Sequence, residues 1–417
     1  MKILMVNKFL YPRGGAESYM LKLGAYYAAL GHEVQYFGMY DEKNTVGNSS
    51  CVYTQNIDFH SGSMKKLLYP FKIIYSFEAK KKIGRVLDVF RPDVVHLNNI
   101  NFQLTPSVID AVKERGIPLF WTVHDYQLVC PNHLLYDFSK EQVCERCVGK
   151  GKRACFENRC IHGSRLRSLL GVWEAWLYRC RRTYSKVDRF ICPSRFLEQR
   201  LLRDNAPLFA GRTAVMHNFV DGRAPAVQRE SRFPFPYVAF AGRLSAEKGT
   251  AVLAEAARLL PQQQFVVMGD GPEKDAFSGL PNVTLTGFLT GEGLQTNIAC
   301  AAALCVPSVC FENCPLSILE ARMLGTPSVT MPYGGMAELV EDGVTGTLSR
   351  SAAPADFAAA IEKTVADADR LRDMRENCRK AAEKTATLQE YGDTLLKLYT
   401  TSGESRHDKS QCDRAGV

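Results

Sequence analysis

The run Phe311-Glu312-Asn313-Cys314-Pro315-Leu316-Ser317-Ile318-Leu319-Glu320 sets two carboxylates eight positions apart across a loop-to-helix transition. Pro315 suits a first helical turn, where its missing N–H costs nothing, and Gly325 with Pro327 stops the helix. Glu312 then precedes the helix, and Glu320 lies on its second turn. The free N–H groups between them sit at the positive end of a helix dipole, a natural anion site. An acid on either side of an anion pocket fits a ligand with a central diphosphate and hydroxyl-rich ends. A nucleotide sugar has that shape. Taken alone, the run could equally be a capped helix with two surface acids.

Other residues add to that chemistry. Phe240-Ala241-Gly242-Arg243-Leu244-Ser245-Ala246-Glu247-Lys248-Gly249 places two cations just after a strand end. Arg243 can fork across two phosphate oxygens and Lys248 supplies a point charge, enough to neutralise a diphosphate leaving group without a metal. Gly14-Gly15 precede a helix with Glu17 in its first turn, and glycine lets a backbone approach a ligand closely. The GxGxxG spacing is absent, so a dinucleotide fingerprint is not supported. Thr122-Val123-His124-Asp125 closes an apolar strand and brings His124 to its carboxyl end. His96, closing Val94-Val95, is a weaker candidate of the same kind. Asp367-Ala368-Asp369 sits in an Ala-rich helical region and reads as surface, so no catalytic metal or cofactor is expected.

These residues need strands to carry them. At 417 residues the chain exceeds one comfortable core and suits two domains. Strand patterns fall at 2–7, 34–37, 94–97 and 119–123, and again at 237–241, 264–268, 283–286, 303–306 and 328–331, with helical patterns between them. Such alternation predicts an α/β fold of two Rossmann-like, doubly wound parallel sheets. The expected boundaries are a first domain over 1–217, a linker over 218–236 and a second domain over 237–387. A helix over 388–400 is expected to cross back to the first domain, and a disordered tail to fill 401–417. Ligands in such sheets bind at the carboxyl ends of the strands.

With Met268-Gly269-Asp270-Gly271-Pro272 and Leu285-Thr286-Gly287-Phe288 added, the order of motifs resembles the retaining GT-B glycosyltransferases of the large family four. The resemblance covers nearly the whole chain. It implies that Arg243 and Lys248 bind the donor diphosphate, Glu312 the transferred sugar and Glu320 the ribose. It implies a nucleobase contact at Gly287 and Phe288, a donor-side place for Gly15, Asn313 and Leu316, and a place for His124 beside sugar and acceptor. The implied reaction moves a hexose-type sugar from a nucleotide sugar to a glycan or lipid-linked acceptor with retention, in cell-surface polysaccharide synthesis. The alternatives are another GT-B enzyme (an epimerase or phosphorylase), a zinc-containing nucleic-acid-binding protein, or a non-catalytic homologue.

Composition narrows the partners. Hydrophobic residues make up 46% and charged residues 23%, as in soluble globular enzymes. No apolar run approaches a spanning helix, and the N-terminus reads as a strand rather than a signal peptide, so a cytoplasmic protein is expected. Residues 1–220 hold 32 Lys/Arg against 19 Asp/Glu, whereas the remainder holds 20 against 25. Basic residues mix with aromatics over 64–91 and 165–189. That pattern suits peripheral contact with an anionic membrane, and no nucleic acid is expected. Of 14 cysteines, five fall within the 31 residues from Cys130 to Cys160, in an expected insertion over about 130–162. The CxxC of Cys144 and Cys147, followed by Cys155 and Cys160, suggests a structural zinc, with Cys130 left out.

Overall fold

The computed structural model describes residues 1–55, 74–221 and 230–412, with side chains to residue 401. Ile3, Leu4, Met5 and Val6 are all buried, because helices cover both faces of their strand. The first sheet is wholly parallel. Its order from one edge is Glu33–Phe37, Lys2–Val6, Val94–Leu97, Leu119–Thr122, Arg189–Cys192 and Thr213–Val215. The second, also parallel, runs Val283–Gly287, Gln264–Met268, Tyr237–Ala241, Leu304–Val306, Ser328–Thr330 and Gly346–Leu348.

Each sheet reverses its strand order once. In the first the reversal falls between Lys2–Val6 and Val94–Leu97; in the second, between Tyr237–Ala241 and Leu304–Val306. A crevice opens at the carboxyl ends of strands at such points. The four loops leaving these strands carry Gly14-Gly15, Asn98-Asn99, Arg243 to Lys248, and Ser308 to Glu312. The fold therefore delivers most of the expected chemistry to two facing crevices.

Three sheet strands lie outside the sequence pattern: Arg189–Cys192, Thr213–Val215 and Gly346–Leu348. They have three or four residues each, too few to establish a period, and the first opens on arginine within a basic run. The cysteine-rich stretch adds a small antiparallel ribbon, Tyr136–Asp137 with Gln142–Val143.

The last helix, Leu388–Cys412, crosses back to the first domain and extends beyond residue 400. Residues 413–417 of the expected tail, and 222–229 of the expected linker, lie outside the described residues. Tyr391, Leu395 and Tyr399 join Ile3, Met5, Tyr27 and Phe120 in one buried cluster. His96 belongs to this core rather than to a crevice. Its Nδ1 meets the Tyr399 hydroxyl and its Nε2 lies 2.7 Å from Thr122 Oγ1. Burial, helped by His124 nearby, pushes its pKa down to about 3.

Gly249 joins the Ala246–Lys248 turn to the helix Thr250–Leu259 at φ +71°, and a Cβ there would stand 1.9 Å from the Pro307 carbonyl oxygen. Gly249→Ala is expected to destabilise the protein by roughly 2–4 kcal/mol, the sum of a left-handed backbone and an overpacked contact. Denaturant unfolding checks this, and a loss below about 1 kcal/mol contradicts so close an approach.

Candidate active site between the domains

Lys248 closes the turn after Tyr237–Ala241, and Ser308 follows Leu304–Val306. Both reach Glu312. Lys248 Nζ donates to Glu312 Oε1 at 2.5 Å, and Ser308 Oγ donates to the same oxygen at 2.9 Å. Burial alone would raise the Glu312 pKa, but the Lys248 charge and these two hydrogen bonds hold it below 4.5. The carboxylate in turn raises the Lys248 pKa above 10.5 against the cost of burial. The pair is ionised across the neutral range. Gly335 N donates to the Glu312 carbonyl at 2.6 Å, and a Cβ on Gly335 would fall 1.5 Å from the Asn313 carbonyl oxygen. Only glycine lets that loop close over the motif.

The next residue spans the crevice. Asn313 Nδ2 donates to the His124 carbonyl at 2.8 Å, and His124 Nε2 donates to Asn98 Oδ1 at 3.0 Å. The His124 ring meets the Tyr19 ring edge-on at 5.0 Å. Burial pushes its pKa down to about 3, so the imidazole is neutral near pH 7. Asn98 Nδ2 and Asn313 Oδ1 are buried without a hydrogen-bond partner among the described residues. Buried amide groups are rarely left so. Phe311 packs against Phe196 and Tyr126 of the first domain, with ring centroids 4.6 and 6.4 Å away. Glu338 adds a further tie. It accepts from the N–H groups of Arg195 at 2.9 Å and Phe196 at 2.5 Å, and from His217 Nε2 at 3.1 Å.

Glu320 lies one turn along the helix Leu316–Met323, as expected. It lines a cavity of about 210 Å³ between the domains, together with Tyr19, Lys22, Phe219 and Leu316. Burial raises the Glu320 pKa, and Lys22 works against that rise. Gly15 faces this wall, where a Cβ would lie 3.6 Å from Leu316 Cδ1.

Three expected residues stand apart at the rim of the second domain. Arg243 is exposed and makes no hydrogen bond or ion pair among the described residues. Gly287 takes φ +76°, and Phe288 is 77% exposed. Sequence reasoning missed Ser308, Asn98, Tyr19 and Lys22. Asn98 and Ser308 each follow the carboxyl end of a strand, the same signal that picked out His124. Tyr19 and Lys22 carried no such signal. Asp367 caps the helix Ala368–Ala382 by accepting from the N–H groups of Asp369 and Arg370, so the DxD run is a helix start.

Cys147, Cys155 and Cys160 form one small buried cluster with Ala154, Ile161 and Val172, while Cys144 is outside it and partly exposed. Cys155 and Cys160 share a hydrogen bond that raises the Cys155 pKa and lowers that of Cys160. Burial pushes the thiol of Cys130, which the sequence reading set aside, up to about 12, with Cys147 and Cys160 adding to the rise. Among the described residues no three His, Cys, Asp or Glu side chains are grouped to hold a metal ion. The four thiols expected to bind zinc are therefore not gathered into a ligand set. The cysteine-rich stretch reaches across the crevice, since Tyr136 is buried in the second domain's core cluster.

Comparison with known proteins bears on all of this. Residues 13–222 match the family described as Glycosyltransferase Family 4, and residues 235–367 match Glycosyl transferases group 1. The chain is 31% identical over 179 residues to an alpha-D-kanosaminyltransferase of Streptomyces kanamyceticus, covering 40% of this chain and 46% of that protein. It is 38% identical over 112 residues to a GDP-mannose-dependent alpha-mannosyltransferase of Corynebacterium glutamicum, covering 27% of each. The chain thus spans less than half the length of these two relatives. Among solved structures, Anabaena HepE in complex with UDP and glucose superposes with a TM-score of 0.66 at 18% identity, covering 96% of this chain and all of that one. Sucrose-phosphate synthase from Thermosynechococcus elongatus superposes with a TM-score of 0.69 at 18% identity, covering 97% and 99%. At these identities the two structures speak to the fold, which is GT-B.

Proposed function

The chain belongs to glycosyltransferase family 4, and from that premise we propose that it moves a hexose-type sugar from a nucleotide-sugar donor to a glycan or lipid-linked acceptor, with retention, in cell-surface polysaccharide synthesis. The observation that carries this reading is the Lys248–Glu312–Ser308 cluster at the second sheet's reversal point, opposite His124 and Asn98 of the first. The relatives' names favour it: one transfers kanosamine and another mannose from GDP-mannose.

In this reading the donor diphosphate lies between Lys248 and the exposed Arg243, and their charges stabilise the leaving phosphate as negative charge develops. The bond from the anomeric carbon to the phosphate oxygen breaks. The acceptor oxygen bonds to that carbon on the same face, and its proton passes to the leaving phosphate. Glu312, already engaged by Lys248 and Ser308, orients sugar hydroxyls as a carboxylate and forms no bond to carbon. Neutral His124, Asn98 and Asn313 line the sugar and acceptor side. Glu320 takes the ribose hydroxyls, and the backbone around Gly287 and Phe288 meets the base. No step calls on a catalytic metal.

A thermal-shift screen against UDP-, GDP-, ADP- and dTDP-sugars tests the donor class. Stabilisation by at least one is expected, and none in a folded sample overturns the reading. Loss of the hydrogen bonds that the carboxylate accepts from the ribose hydroxyls should make Glu320→Ala raise the donor KM about 10–100-fold with little change in kcat. Steady-state kinetics checks this, and an unchanged KM removes Glu320 from the ribose. The anomeric configuration of the first-formed product, read by NMR, tests retention.

A further inference from the structure

Of the basic, aromatic stretches in the sequence, residues 64–73 lie outside the described residues. The helix Phe77–Phe90 buries Ala79, Ile83, Val86 and Leu87, and its Lys80 and Lys82 pair with Glu114 and Glu78. That is a core helix with a solvated basic face. Glu338, between the domains, is bound in a less ordinary way.

A helix starts with backbone N–H groups that have no partner within the helix. In the helix Arg195–Phe209 the cap residue Ser194 satisfies one of them, its Oγ accepting from Leu197 N–H at 3.1 Å. The two before it are satisfied from the other domain. Glu338 Oε2 accepts from Arg195 N–H at 2.9 Å, and Oε1 from Phe196 N–H at 2.5 Å. A carboxylate at the positive end of a helix dipole is favoured by its charge as well as by these bonds. Burial would raise the Glu338 pKa, but the hydrogen bonds from His217 and from the two amides hold it below 4.5.

Glu338 is fixed at its other end too. It lies three residues after Gly335, whose N–H donates to the Glu312 carbonyl at 2.6 Å. A Cβ on Gly334 would stand 2.9 Å from the same carbonyl oxygen, so this turn is pressed onto the Glu312 backbone. Phe196, at the start of the capped helix, packs its ring 4.6 Å from that of Phe311, the residue before Glu312. A short chain of contacts therefore runs from the first domain's helix through Glu338 to the donor motif. Asn313 makes a second tie through the His124 carbonyl.

We propose that Glu338 is a positioning residue: by capping the helix Arg195–Phe209 across the crevice, it sets His124 and Asn98 of the first domain against the donor motif. Glu338 touches no reacting atom. Lys248, Glu312 and Glu320 all belong to the second domain, so donor binding survives loss of the cap. The acceptor side does not keep its register, and a shift of about 1 Å at reacting atoms can cost about 100-fold in rate. Water then competes better for the sugar: its oxygen bonds to the anomeric carbon, its proton passes to the leaving phosphate, and free sugar forms. The kinetic consequences rest on the proposed sugar transfer; the cap itself does not.

Three variants of the full chain test this. Glu338→Ala removes both acceptors. Arg195→Pro removes one donor at a first helical position, where proline is well tolerated, and the extended Ser194 before it (φ −149°, ψ 155°) accommodates the ring. Arg195→Ala keeps the N–H and should behave as the wild type. Small-angle X-ray scattering without substrate is expected to give a larger radius of gyration for Glu338→Ala, and a smaller change in the same direction for Arg195→Pro. At saturating donor, Glu338→Ala should lower kcat for transfer about 10–100-fold, with the donor KM changed less than about threefold. The share of donor hydrolysed rather than transferred should rise in both. A wild-type radius of gyration in both variants overturns the proposal, and Arg195→Pro decides alone if Glu338→Ala does not fold. A donor KM raised about tenfold with no rise in hydrolysis also overturns it, because Glu338 then acts only through Gly335 on the donor side. If no nucleotide sugar serves as donor, the proposed reaction fails while the scattering still decides the cap.

Discussion

Lys248→Met is expected to lower kcat for sugar transfer by about 10²–10³-fold, the usual consequence of removing one preorganised group aimed at a developing negative charge. Methionine keeps the length and apolar body of the side chain and removes only the ammonium. The leaving diphosphate then lacks its inner cation, and Glu312 loses the partner that holds it ionised. Steady-state rates with the preferred donor measure the effect, and circular dichroism shows that the variant is folded. A fall of less than about tenfold removes Lys248 from the leaving group. Arg243→Met should give a smaller deficit, because its side chain is exposed and must move to reach a ligand. The ion pair also sets a pH window. Glu312 is depressed, so its contribution to stability is present above its ordinary value of 4.5 and is lost as pH falls through the lower folded value. Lys248 is raised, so its contribution is complete below 10.5 and is lost as pH rises through the higher folded value. Between these limits the pair should leave the pH–rate profile flat, and any bell within pH 5–10 must come from other groups.

Glu312→Gln should fall in the same range of kcat, with the donor KM changed less than about threefold. Glutamine fills the same volume and can still accept from Ser308, but it leaves Lys248 without its counter-charge. The sugar is then held by a neutral amide in a slightly altered place, and small misplacements at a reacting carbon are expensive. Set against Glu320→Ala, which acts on KM, this separates the two carboxylates by kinetics. Equal and mild effects from both would return the motif to a capped helix with ordinary acids.

The sheets and the donor side of the site were legible because each depended on local pattern. Buried parallel strands are continuous apolar runs, and the residue just after such a run lies at the crevice. His124 was found in that way, Lys248 from the turn that follows a strand, and Glu312 from the helix start beyond it. His96 satisfied the same rule and failed, because Tyr399, some three hundred residues later, closes over it. The partners of the site were less legible. Tyr19 and Lys22 matter only once the domains face each other, a relation no short stretch encodes. The helix Arg165–Cys180 shows the ambiguity most plainly. Its mix of basic and aromatic residues was visible in the sequence, but two of its three buried residues, Ser168 and Gly171, look polar or neutral on any hydropathy scale. The cysteines were counted correctly, yet their spacing did not say which thiols would meet.

The helix that returns from the second domain has a consequence for biosynthesis. The core around Ile3, Met5, Tyr19 and Tyr27 is completed by Tyr391, Leu395 and Tyr399. The strand Lys2–Val6 therefore waits for residues translated nearly four hundred positions later, roughly 20–80 s at 5–20 residues per second. During that interval the apolar wall that this helix will cover is open to chaperones and to neighbouring chains. Nascent chains stalled before residue 388 should therefore be far more sensitive to protease in their first domain than released chains.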